Sequence, residues 1–84
     1  MPPDLAALQA LVADGQYLFT EHASERAVQR GIISREVEEV VAAGEVIEDY
    51  PRDKYGPSCL ILGPTQAGRV LHVQVSYPPA VRVI

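Results

Sequence analysis

The 84-residue chain has a single cysteine, Cys59, set in the apolar run "SCLILG". An intrachain disulfide is therefore excluded, and a cysteine-based zinc cluster with it; a lone free cysteine reads as a small buried hydrophobe. No run reaches the roughly 18 to 20 apolar residues a membrane span requires. The opening "MPPDLAALQALVADG" has no basic region and two aspartates, unlike a secretory signal. These absences predict a cytoplasmic protein that makes no membrane contact. No Ser-His-Asp order, phosphate loop or metal-ligand spacing occurs, so no metal or cofactor is expected. Lysine is scarce as well: six of the seven basic residues are arginine, the side chain suited to bidentate contact with carboxylate or phosphate.

Apolar residues make up 48% of the chain and charged residues 21%, enough to bury a core, in a length that fits one domain over residues 1–84. The net charge of −4 disfavours diffuse nucleic-acid binding, which depends on phosphate neutralisation by many basic groups. The charge is unevenly placed: residues 1–49 carry about −7 and residues 50–84 about +3. A few placed arginines fit this better than a basic surface does.

Three helices are predicted in the first half. Asp4 caps "LAALQALVA", whose Leu5, Leu8, Leu11 and Val12 follow helical spacing up to Gly15. "QYLF" reads as an extended connector. Thr20 caps a second helix that ends at Gly31, with Glu21 in its first turn. Ser34 is expected to cap a third, with an apolar stripe of Val37, Val40 and Val41 and a stop at Gly44. From Glu45 the period shortens. "EVIEDY" is a strand, "PRDKYGP" a turn, "SCLIL" a strand apolar enough to be buried on both faces, and "PTQAG" a hairpin loop. "RVLHVQVSY" then alternates strictly, Leu71, Val73, Val75 and Tyr77 against His72, Gln74 and Ser76. A three-residue "PPA" loop leading to "VRVI" sets Val81 opposite Tyr77 and Arg82 opposite Ser76, keeping each face chemically uniform. The expected fold is α+β: N-terminal helices packed on one face of a four-stranded antiparallel meander.

The second helix carries the anomaly. His22, Arg26 and Arg30 recur at spacings of four, so they form one row with Gln29 beside it. Residues three and four away from each arginine include no acid. Like charges at this spacing cost roughly 0.2 to 0.5 kcal/mol per pair, so the compensation must come from another element or a ligand. Glu36, Glu38, Glu39, Glu48 and Asp49 are the candidate protein partners; the alternative is a bound anion. His72, Gln74, Ser76 and Arg82 form a second polar set on the last hairpin. Two imidazoles and arginines are the groups needed for metal-free RNA cleavage: a base, an acid and a clamp for the charged phosphorane. On this reading His22 and His72 are catalytic, and Arg26, Arg30, Arg82 and Gln74 bind substrate.

From Thr20 to Val75 the blocks "T-x-H-A", "RGI", "G-E-x-I-E-D-Y-P-x-D-K-x-G-P-S-x-L-I-L-G" and "G-R-x-L-H-V-x-V" resemble a family of small bacterial proteins classed as a domain of unknown function. That family is considered distantly related to RelE/ParE type toxins and to metal-independent RNases of that fold. The resemblance implies helices on a RelE-like antiparallel sheet, with His22, Arg26, Arg30 and His72 as polar positions of interest. It adds ribonuclease activity and RNA or an antitoxin as partner to the expectations. Sequences of this kind run on past "VRVI" with a threonine and a tyrosine in the last strand. The rival functions are a non-catalytic module that holds an acidic protein or a second copy of itself as a homodimer, and an RNA-binding domain without chemistry.

Overall fold

A computed structural model describes residues 4–54 and 56–84. The three predicted helices are present: α1 (Leu5–Ala13), α2 (Glu21–Arg30) and α3 (Ser34–Ala43). The Asp4 carboxylate accepts from the Ala7 N–H at 3.0 Å, and the Thr20 hydroxyl accepts from the Ala23 N–H at 3.1 Å. Each satisfies one of the donors left open at a helix start. Gly31 ends α2 in the left-handed conformation at φ 64°, a position where a Cβ is strained. The start of α3 differs from expectation. Ile33, not Ser34, occupies the cap position, and the Glu36 carboxylate reaches back to the Ile33 N–H at 3.2 Å. Glu36 thus satisfies the N–H of the cap residue, while no side chain caps the first turn, and Ser34 lies inside the helix.

The sheet has five strands where four were expected, and it is mixed. Strands β2 (Glu45–Tyr50), β3 (Ser58–Pro64), β4 (Val70–Ser76) and β5 (Arg82–Val83) run antiparallel in sequence. The fifth, β1 (Leu18–Phe19), lies in the segment read as a connector and pairs parallel with β5. Two residues are too few to display alternation, and the partner is far away in sequence. The register of the last hairpin is as expected: Val75 faces Val83, the pairing that a three-residue loop dictates. Burial adds to the ladder here: Val83 of β5 and Val81 just before it are both buried, worth roughly 1.5 to 3 kcal/mol each.

Cys59, Ile61, Val73 and Val75 form the core face of the sheet with Val37, Val40 and Val41 of α3, and Leu8 and Val12 of α1 complete the cluster. α3 packs on β3 and β4 with α1 against it, while α2 meets the sheet through β1. The helices thus do not form one uniform layer. Of the ten residues of α2 only Ala23 is buried. β3 is not buried on both faces as expected: Cys59 and Ile61 are, whereas Leu60 and Leu62 are half-buried. Gly44 ends α3 in an extended conformation rather than a left-handed one. A Cβ there would come within 2.5 Å of the Val40 carbonyl oxygen and 2.8 Å of that of Leu62, so contact between α3 and β3 demands the glycine. Tyr55, within the stretch "PRDKYGP" read as a turn, lies outside the described residues. Among the described residues no helix is long and apolar enough to cross a membrane.

Candidate functional site

The acids that could have neutralised α2 are engaged elsewhere. Glu36 pairs with Arg69 at 3.1 Å, and Glu39 accepts from the Gln66 N–H at 3.0 Å and lies 3.9 Å from Arg35. Glu38 accepts from the Tyr17 hydroxyl at 2.5 Å. Glu48 accepts from Tyr50, and Asp49 from Tyr77. Among the described residues no carboxylate lies within 4.0 Å of the guanidinium groups of Arg26, Arg30 or Arg82, and none of the three side chains makes a hydrogen bond within the protein. An intramolecular clasp is therefore not what balances the row.

That row borders a cavity of about 410 Å³ between α2 and the sheet. His22, Arg26 and Arg30 line it from the helix, and His72 and Gln74 from β4. His22 and His72 are thus both among the residues that border this space. The Gln74 amide donates to the buried Ser58 hydroxyl at 3.0 Å, which fixes the side chain and leaves its carbonyl oxygen available. Leu60, Phe19 and Ile84 add apolar wall.

The backbone hydrogen bonds of β4 divide between its two neighbours. Tyr77 N–H donates to the Pro57 carbonyl and Thr65 N–H to the Arg69 carbonyl, at 3.0 and 2.7 Å. With the register of β3 and β4, these bonds turn the odd-numbered residues of β4 toward β3 and the even-numbered ones toward β5. The contact with the last segment reaches Gln74, whose carbonyl accepts from Ile84 N–H at 2.9 Å. The N–H and C=O of His72 point the same way and have no strand partner among the described residues.

Arg69 fixes the far end of the helix. Its guanidinium donates to the Gly31 carbonyl at 3.3 Å and the Arg30 carbonyl at 3.5 Å while holding Glu36. The turn between β3 and β4 is thereby tied to the end of α2 and the start of α3. With only Ala23 buried, α2 is positioned largely through its two ends.

A second, larger cavity of about 720 Å³ adjoins the first, and His22 and Ile84 line both. Arg82, Ser76, Tyr77 and Pro78 contribute to its walls. The six expected site residues are therefore divided: five line the first cavity, Arg82 lines the second, and His22 belongs to both. Tyr77 and Pro78 were read only as strand end and turn; the signal for a site was an aromatic residue set directly against a proline pair.

Protonation limits which other groups could do chemistry. The hydrogen bond to Asp49, followed by burial, pushes the Tyr77 phenol up to about 12, so it stays neutral near pH 7. Burial, with the hydrogen bond to Glu38 second, does the same for Tyr17. Burial and then Asp49 raise the Cys59 thiol to about 11, which makes it a poor nucleophile. No group of three or more His, Cys, Asp or Glu among the described residues could hold a metal ion.

Residues 19–84 match the family model described as Domain of unknown function (DUF4258). The chain belongs to that family. Comparison with curated proteins gave no match, and comparison with solved structures gave none. For this DUF4258 protein no comparison adds a link to RelE/ParE type toxins.

Proposed function

We propose that the groove between α2 and β4 binds the phosphodiester backbone of RNA and cleaves it without a metal. The observation that carries this is that two arginines without an acidic partner among the described residues and two histidines line one cavity, in a protein of net charge −4. Unpaired arginines facing a common space favour an anionic ligand, and a bound phosphate offsets the repulsion within the row. His22 takes the proton of the ribose 2′-hydroxyl, whose oxygen attacks phosphorus. The bond from phosphorus to the 5′-oxygen breaks, and a protonated His72 gives that oxygen its proton. Arg26 and Arg30 hold the charge that builds on the phosphorane, and Gln74 contributes its carbonyl to positioning. The products are a 2′,3′-cyclic phosphate and a free 5′-hydroxyl. Incubation of purified protein with RNA in EDTA tests this, comparing the wild type with His22→Ala and His72→Ala. The expected loss is about 10²- to 10⁴-fold for each variant. No cleavage by wild type, or cleavage equal in the variants, overturns it. Salt-sensitive RNA binding unaffected by His22→Ala assigns binding without chemistry instead.

A second reading rests on the arginines of α2 having no acidic partner among the described residues. An acidic segment of another protein, or of a second copy, meets them with its carboxylates. Mass measurement in solution, alone and with such a peptide, separates this reading from the first. A monomer that binds no peptide removes it.

A further inference from the structure

We infer that the cavity beside the phosphate groove seats a nucleobase, and that Arg82 selects guanine there. The inference rests on the groove being a phosphate site. The two cavities meet at His22 and Ile84, so a nucleotide whose phosphate lies against Arg26 and Arg30 has its sugar passing His22 and its base entering the second space. About 720 Å³ falls within the range of small-molecule sites and well above the needs of one base.

The polar inventory decides which base. The Ser76 hydroxyl donates to the Ala80 carbonyl at 2.9 Å and accepts from the Arg82 N–H at 2.8 Å, so it is committed at both ends. The Tyr77 hydroxyl is spent on Asp49, and Tyr77, Pro57 and Pro78 are among the residues that line the cavity. The Thr20 hydroxyl already caps α2. Among the described residues lining this cavity, the side chains without a hydrogen bond that can still donate are His22 and Arg82. A guanidinium presents parallel donors and no acceptor, and so matches a base edge with two adjacent acceptors. Guanine offers O6 and N7 in that arrangement, whereas adenine replaces one of them with a donor. Aromatic and proline faces suit the flat surface of the ring.

Three probes separate the inference from the reading beneath it: inorganic phosphate, guanosine and adenosine, each titrated while backbone amide NMR shifts are followed. Guanosine is expected to move Tyr77 and Arg82 and to bind about tenfold or more tighter than adenosine. Arg82→Lys keeps the charge, loses the bidentate fork and removes that preference; Arg82→Ala does the same with an unchanged melting temperature. Phosphate binding is expected to respond to Arg26→Ala and not to Arg82→Ala. Equal affinity for the two nucleosides, or a guanine preference that survives in Arg82→Lys, overturns the base site whatever phosphate does. Guanosine binding without phosphate binding at Arg26 retains the base site and overturns the phosphate groove.

Discussion

Reversing one charge in the α2 row sets stability against ligand binding. Arg26 has Arg30 four residues on and His22 four residues back, with no carboxylate within 4.0 Å of its guanidinium among the described residues. Arg26→Glu replaces a repulsive pair with an attractive one in the favourable order, acid before base. Losing about 0.2 to 0.5 kcal/mol of repulsion and gaining a similar attraction gives a net stabilisation of about 0.4 to 1 kcal/mol. In a domain of this size that raises the melting temperature by about 2 to 8 °C. Thermal unfolding followed by circular dichroism at about 10 mM salt measures it, and the gain should shrink at about 0.5 M, where the Debye length falls below the separation of the charges. The same variant should lose phosphate affinity. A stabilised protein that no longer binds anions is what a functional row of like charges predicts. A lower melting temperature refutes the reasoning, because it means that Arg26 has a stabilising partner in the fold.

Arg69→Ala should cost about 1 kcal/mol, partly salt-dependent, since the ion pair with Glu36 is half-exposed; it should also loosen the end of α2, measured as faster amide exchange at Gly31 and Ile32. Gly44→Ala should destabilise by about 3 kcal/mol in urea unfolding, at the upper end for overpacking, because its Cβ meets two carbonyl oxygens that cannot yield easily. The folded protein holds protons on Cys59 to about pH 11 and on Tyr17 to about pH 12, while the unfolded chain releases them near 9 and 10. Stability contributed by these groups is thus complete below pH 9 and is lost as pH rises toward 12. Urea unfolding from pH 8 to 12 should show that decline, with Tyr17→Phe reducing the part above pH 10, where Tyr77 also contributes, and Cys59→Ala the part between 9 and 11.

Features set by near neighbours were legible in the sequence. Asp4, Thr20 and Gly31 mark helix ends through bonds spanning three or four residues, and the β4–β5 register follows from matching Val81 with Tyr77 and Arg82 with Ser76. Features set across the chain were not. Leu18 and Phe19 alternate with nothing, so only their pairing with β5 makes them a strand. Ile33 has no side-chain acceptor to mark it as a cap, and the bond that anchors it there comes from Glu36 accepting its N–H. For the site, the row of His22, Arg26 and Arg30 was plain, as was the lack of a local acid. Which of Glu36, Glu38, Glu39, Glu48 and Asp49 would answer it was not, because the bonds of Glu36 to Arg69, Glu38 to Tyr17, Glu39 to Gln66 and Asp49 to Tyr77 join residues far apart in sequence, and only the bond between Glu48 and Tyr50 is local. The second cavity was hidden for the same reason: it draws Thr20 and His22 together with Tyr77 and Arg82.

The parallel pairing of Leu18 and Phe19 with Arg82 and Val83 also bears on the order in which the protein acquires its shape. α2 follows β1 directly, yet the strand that fixes β1 is synthesised some sixty residues later. Helix caps form locally within about a microsecond, whereas closing so long a loop carries an entropy cost that must be met before any contact repays it. On the ribosome α2 can coil early, but neither the groove nor the cavity beside it exists until β5 has emerged and docked. A ligand that needs both His22 and His72 therefore recognises only the finished fold.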